Sequence, residues 1–251
     1  MAQTAVWFAN AQTVDDLGVV LHRFQHDEVP GPAFVMVHGV GVTSAYFEPL
    51  ARELADAGPV WLVDLPGYGA SAKPDRDVPL ADHARVLGAT LDAAGIDNPV
   101  LIGHSWGCQV ITELAVQRPE LSDRLVLLAP TINAARRRPL LQLIDLIRNG
   151  FVEPPRADAY GLYNYFFTGR TRYFMAQIPH MLEDAIEERL VEIAAPALVV
   201  VGDRDPIVPT EWARQVATLL DRGRLEVVSG AHVIMFTAAA EIARLIEEFA
   251  E

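Results

Sequence analysis

The sequence predicts an α/β fold: a mostly parallel central sheet with helices on both faces, interrupted late by a helical insertion. Three observations carry this. Short apolar runs recur, each uninterrupted by polar residues, as strands buried on both faces require. Stretches with helical spacing separate them, the alternation that gives parallel crossover units. From about residue 131 to 190 the alternation stops: helical spacing and aromatic clusters continue without a strand candidate.

In chain order, two β-like runs come first, around Val6-Trp7-Phe8 and Val19 to Phe24. Phe34-Val35-Met36-Val37 then leads to a helix over roughly Tyr46 to Ala57. Val60 to Val63 leads through a turn-rich loop to a helix over Leu80 to Ala94. Val100-Leu101-Ile102 feeds an amphipathic stretch through Gln117, and Arg124 to Ala129 is another buried strand. After the insertion, Pro196 to Gly202 is a strand, Glu211 to Leu220 a helix, Leu225 to Val228 a strand and Ile234 to Ala250 a closing helix. The expected organisation is one core, residues 1–130 and 191–251, carrying a helical cap of residues 131–190 inserted after the sixth strand.

Composition narrows the function. A chain of 251 residues, 51% hydrophobic, can bury one large core plus a modest insertion. A net charge of −13 argues against nucleic-acid binding, because phosphate would be repelled. The charge is uneven: the insertion holds eight basic and seven acidic side chains, so nearly all the negative charge lies in the core. Cys108 is the only cysteine, which rules out an intrachain disulfide. No basic-then-apolar leader opens the sequence, and no uncharged apolar run approaches the roughly 18 residues of a membrane span. A cytoplasmic protein without membrane partners is expected, as monomer or homodimer. One cysteine and scattered histidines give no metal-ligand spacing, and no nucleotide fingerprint is present, so neither metal nor cofactor is expected.

The most informative segment is Gly103-His104-Ser105-Trp106-Gly107, between an apolar run and an amphipathic one. A serine at such a junction adopts strained backbone angles, and bulky residues two positions either side would clash. The reward is an exposed hydroxyl above a helix N-terminus, whose amides favour negative charge. A hydroxyl is a poor nucleophile alone; it needs a base, a group to orient that base, and donors for an oxyanion. Asp205, in Gly202-Asp203-Arg204-Asp205-Pro206 after a late strand, is favoured as the orienting acid over Asp203, which can serve a local turn or pair with Arg204. His232 follows the next strand in Ser229-Gly230-Ala231-His232 and is the base candidate. Of the other histidines, His22 and His26 read as surface residues, His83 and His180 lie in helical stretches, His104 packs beneath the elbow, and His38 braces the first glycine loop. That loop, His38-Gly39-Val40-Gly41-Val42, follows a strand and lets main-chain amides approach a substrate. The amides of Val40 and Trp106 are assigned to the oxyanion hole, with Gly39, Tyr163, Phe166 and Phe167 as substrate contacts. Cys108 reads as a small core residue.

Together with Asp64-Leu65-Pro66-Gly67-Tyr68-Gly69-Ala70-Ser71, these segments make the chain resemble the α/β-hydrolase superfamily over essentially its full length. The resemblance implies an α/β-hydrolase fold with a cap and a Ser105–Asp205–His232 triad. Serine, where dehalogenases and epoxide hydrolases of the superfamily carry aspartate, implies acyl transfer to water, with a carboxylic ester of a small apolar or aromatic molecule as the expected substrate. Carbon–carbon bond hydrolases of aromatic ring-cleavage products are the alternative; they generally carry a tryptophan-rich stretch after the histidine, whereas this chain reads His232-Val233-Ile234-Met235-Phe236. Prolyl aminopeptidases come third, because their first loop usually reads His-Gly-Gly-Pro-Gly. A small-ligand receptor that keeps the triad is the non-enzymatic alternative. Arg136-Arg137-Arg138 reads as a solvated face in preference to a site for a substrate carboxylate.

Overall fold

The structure, a computed structural model, describes residues 7–24, 29–153 and 171–251. Eight strands form one sheet: β1 (Trp7–Val14), β2 (Leu17–Phe24), β3 (Phe34–Val37), β4 (Val60–Asp64), β5 (Val100–His104), β6 (Arg124–Leu128), β7 (Ala197–Gly202) and β8 (Gly223–Val228). Their spatial order is β1-β2-β4-β3-β5-β6-β7-β8. β2 runs antiparallel to both neighbours, and from β4 onwards every pairing is parallel.

The alternation of side chains along each strand divides the core into two layers. Val35, Val37, Leu101, Leu125, Leu127, Val199 and Val201 face one side, packed under α2 (Leu80–Ala94) and α3 (Trp106–Gln117). Phe34, Met36, Ile102, Val126, Leu128, Leu198 and Val200 face the other, under α1 (Glu48–Leu54). The central stretches of these strands are continuously apolar because both faces are covered. Each fully buried aliphatic side chain contributes about 1.5–3 kcal/mol, and this double layer fixes the strand ends on which the site is built.

Between β6 and β7 lie α4 (Pro139–Asn149), α5 (Thr171–Glu183) and α6 (Ile186–Leu190), with no strand among the described residues. The chain closes with α7 (Thr210–Leu219), α8 (Ile234–Thr237) and α9 (Ala239–Ala250). No helix among the described residues is long and apolar enough to cross a membrane.

Three elements differ from expectation. β1 extends through the polar Asn10 to Thr13, because an antiparallel ladder to β2 satisfies its backbone from Trp7↔Phe24 to Val14↔Leu17. The helix expected from Tyr46 begins as a 3-10 turn, Ser44–Phe47, and becomes α-helical at Glu48. Pro49 stands in its first turn, where a missing N–H does no harm. The closing helix is broken at Ala238, which leaves helical geometry at φ −128° and ψ 32°.

Candidate active site

Ser105 stands between β5 and α3 with φ 54° and ψ −118°, a backbone conformation a non-glycine residue rarely adopts. The flanking glycines explain how it is tolerated. A methyl group on Gly103 would lie 2.6 Å from the carbonyl oxygen of Gly107, and one on Gly107 would lie 2.2 Å from that of Val37. Only two side-chain-free residues let strand, turn and helix approach so closely. The hydroxyl is thereby lifted to the carboxyl edge of the sheet, over the first turn of α3.

Asp205 and His232 meet there from the loops after β7 and β8. His232 Nδ1 donates to Asp205 Oδ2 at 2.8 Å. The second carboxylate oxygen accepts from the amides of Ile207 at 2.8 Å and Val208 at 2.9 Å, so the acid is held at both ends. Because a carboxylate can only accept, Nδ1 carries the proton and the lone pair of His232 sits on Nε2. Burial alone would lower the pKa of His232, but the charge and hydrogen bond of Asp205, with the charge of Glu153, outweigh it and raise the value. The structure therefore brings the predicted acid and base together. The Ser105 hydroxyl makes no hydrogen bond to that imidazole among the described residues, although its neighbour's ring, that of His104, is 4.8 Å from the His232 ring. Asp203 does what the sequence allowed: it accepts from the Gly230 amide at 2.9 Å and lies 3.5 Å from Arg204.

Beneath the site runs a buried chain of hydrogen bonds. The Gly39 amide donates to the Tyr46 hydroxyl at 2.9 Å, Tyr46 donates to His104 Nδ1 at 2.7 Å, and His104 Nε2 donates to the His232 carbonyl at 3.0 Å. One self-consistent set of protons satisfies every link, and it requires His104 to be neutral. Burial, reinforced by the neighbouring His232, holds its pKa well below the usual imidazole value. The chain joins the first glycine loop to the backbone of the base. It also consumes the amide of Gly39, while the Gly39 carbonyl accepts from His38 Nδ1 at 2.7 Å. Both polar groups of Gly39 thus serve the frame. Trp106 is the first residue of α3, so its amide has no acceptor within that helix.

Asp64 ties the surrounding loops together. Its buried carboxylate accepts from Ser44 N at 3.0 Å, Ala70 N at 2.8 Å and His22 Nε2 at 2.8 Å. Burial pushes its pKa up, but the hydrogen bond from His22, the charge of His38 and the two amides prevail and hold it well below the carboxylate range. His22, expected at the surface, is instead part of this knot; it faces inward from β2 onto the end of β4. His26 lies outside the described residues. Cys108 is fully buried, and burial raises its thiol pKa well above the ordinary value, as suits a core residue.

The insertion reaches the site through α5. Tyr173 donates to the Pro66 carbonyl at 2.9 Å, and its ring lies where any side chain on Gly67 would have to go. Phe174 stands in the same way over Gly41. Both glycines have positive φ, 85° and 80°. These two aromatics roof the glycine loops, a contact the sequence did not single out. Tyr163, Phe166 and Phe167 lie outside the described residues. Arg136 is not solvated as expected: it grips the buried Asp145 with two bonds of 2.6 Å, and Arg137 pairs with Glu187. Both are engaged by acids of the insertion. Among the described residues no cluster of three or more histidine, cysteine or acidic side chains could hold a metal ion.

A sharply turned serine at one strand end and an aspartate-held imidazole after the last strand, on a sheet of this order, are the features expected of α/β hydrolases. A sequence model of the alpha/beta hydrolase family matches residues 34–245. The chain belongs to that family. An uncharacterized protein of Mycobacterium tuberculosis is 35% identical over 99 residues, covering 39% of this chain; the match spans only 29% of that longer protein. The (E)-2-((N-methylformamido)methylene)succinate hydrolase of Acinetobacter baylyi is 25% identical over 250 residues, 92% of this chain and 94% of the other. Among solved structures, a thermophilic esterase from Thermogutta terrifontis shares the fold at TM-score 0.77 and 19% identity, with 98% of each chain covered.

Proposed function

We propose that this chain is a cofactor-independent serine hydrolase that cleaves a carboxylic ester, or a related acyl bond, of a small apolar or aromatic molecule. The observation that carries this reading is the Asp205–His232 hydrogen bond of 2.8 Å, together with a serine held at φ 54° at the end of β5. Ser105 attacks the substrate carbonyl while His232 Nε2 takes the hydroxyl proton. The oxygen of the tetrahedral intermediate is bound by the amides of Val40 and Trp106, and the developing imidazolium is stabilised by Asp205. The proton then passes to the leaving alcohol, and an acyl-enzyme forms at Ser105. Water, deprotonated by His232, releases the acid and restores the serine.

The helices between β6 and β7 act as a cap that selects the substrate, with Tyr173 and Phe174 on its inner side. The A. baylyi relative is named for a succinate-derived substrate. No such preference is carried over here, because Arg136 and Arg137 already hold Asp145 and Glu187. The reaction fits a cytoplasmic enzyme of small-molecule metabolism.

The test is labelling with a fluorophosphonate, followed by intact mass and adduct mapping. A single adduct on Ser105, absent from Ser105→Ala and weakened in His232→Ala, is expected. A panel of neutral aromatic and aliphatic esters should then turn over repeatedly, at rates that fall by about 10⁴-fold or more in Ser105→Ala. No adduct on folded protein sinks the mechanism and leaves a ligand receptor. Turnover confined to ring-cleavage diketones would move the chemistry to carbon–carbon hydrolysis.

A further inference from the structure

A second carboxylate is anchored one residue from His232, and this one comes from the insertion. Glu153 follows α4 and is 6% exposed. Its Oε1 accepts from the amide of Val233, the residue after the base, at 2.7 Å across 80 residues of sequence. Its Oε2 is buried and has no hydrogen-bond partner among the described residues. A buried carboxylate oxygen without a donor is destabilising, and a glutamine would tether Val233 equally well through its carbonyl oxygen. The tether alone therefore does not account for the charge. Anchored one residue from the base, the negative charge of Glu153 acts on His232 and favours its protonated form.

We propose that Glu153 is a positioning residue for His232, tying the histidine loop to the inserted helices by one oxygen and setting a second buried negative charge against the imidazolium by its carboxylate. The proposal rests on the hydrolase reading for its role in turnover, although the contacts themselves do not. Around the ring, the titratable groups among the described residues are Asp205 from the loop after β7, His104 from the end of β5, and Glu153. His104 is locked neutral by Tyr46 and by the His232 carbonyl, so the electrostatic balance is set by the two carboxylates. Asp205 orients the ring through Nδ1. Glu153 bonds to the neighbouring main chain, so it holds the loop without competing for that proton. The arrangement also couples the cap to the chemistry: any displacement of the chain after α4 withdraws both the tether and the charge from the base.

The experiment follows the His232 imidazole by NMR titration in the Ser105→Ala background of the full chain, which reads the ring whether or not any ester is turned over. Glu153→Gln keeps an acceptor for Val233 and removes only the charge. It should lower the His232 midpoint by about one pH unit, with Val233 amide exchange unchanged. Glu153→Ala should lower the midpoint similarly and speed Val233 exchange by about tenfold or more. In the active protein, the acid limb of kcat/KM should move down with Glu153→Gln by the same amount as the NMR midpoint. Coincident titrations in wild type and Glu153→Gln overturn the electrostatic role. Unchanged Val233 exchange in folded Glu153→Ala overturns the tether. Should Glu153→Ala fail to fold, the near-isosteric Glu153→Gln still decides the charge. Failure of fluorophosphonate labelling, by contrast, bears on the hydrolase reading and leaves this titration intact.

Discussion

The carboxyl edge of the sheet and the helices inserted beside it hold their residues by different means. At the sheet edge, backbone geometry places Ser105, and each neighbouring polar side chain has several partners: Asp205 has three, Asp64 three, and His104 two. In the insertion, α4 turns Leu140, Leu143, Leu146 and Ile147 outwards, and Phe151 beyond it is 85% exposed. The rest of the insertion docks through side chains: Tyr173, Ile186 and Leu190 join the core, and long-range bonds run from Tyr173 to Pro66, from Gln177 to His83 and Asp77, from His180 to Asp77, from Arg189 to Glu113 and from Glu153 to Val233. One region is set by backbone geometry, the other by side chains that meet across long stretches of sequence. Chemistry and selection are thus held by different kinds of contact, joined at Glu153, and substitutions in the two regions should differ in both size and kind.

The largest effect belongs to the sheet edge. Asp205→Asn should leave the fold nearly intact yet lower kcat by about 10³–10⁴-fold, because the imidazole loses its orientation and tautomer. The pH profile supplies a second readout. His232 must be neutral to act as base, and its pKa is raised, so kcat/KM in the wild type should decline as pH falls through a value above the ordinary imidazole midpoint. In Asp205→Asn that limb should move to lower pH. An unmoved limb would break the contrast, since the sheet-edge acid would then not govern the base.

Asp64→Asn tests the frame in place of the chemistry. Replacing a buried anion that accepts three hydrogen bonds should cost about 3 kcal/mol in urea unfolding. The sign with pH follows from its depressed pKa. The wild-type contribution is complete above the unfolded carboxylate value of about 4 and is lost as pH falls below it towards the folded value. The stability difference between wild type and Asp64→Asn should therefore narrow in acid. A difference independent of pH would mean that the charge contributes nothing.

The smallest effect should be at the attachment point. Tyr173→Phe removes one hydrogen bond to Pro66 and keeps the ring over Gly67. It should cost about 1 kcal/mol of stability and appear mainly in KM. If it lowered kcat as far as Asp205→Asn does, the separation between the two regions would be wrong.

How much of this was legible in the sequence follows the same division. α2 spans the predicted Leu80 to Ala94, and every predicted core strand is present, because local apolar runs and turn residues report local structure. The contact between Asp205 and His232 could be anticipated because each follows its own strand in the expected chain order. Glu153, the Tyr46–His104 chain and the inward-facing His22 could not. Each depends on which distant residue lies opposite, over 80, 58 and 42 positions respectively, and one sequence carries no periodic signal for that. Two weak clues existed. Gly41 and Gly67 implied that something stands close above them, without saying that it would be Phe174 and Tyr173.

The insertion leaves the sheet at the end of β6 and returns at the start of β7, and those strands are adjacent, paired from Leu125↔Ala197 to Leu128↔Val200. To the sheet, the whole excursion is a single crossover connection between neighbours. A transplanted segment from another member of the family would start and finish at the same two strand ends, and would have to bring its own counterparts of Glu153 and Tyr173. Substrate range in such a chain can drift in evolution, or be grafted in the laboratory, while the strands carrying the reactive groups stay as they are.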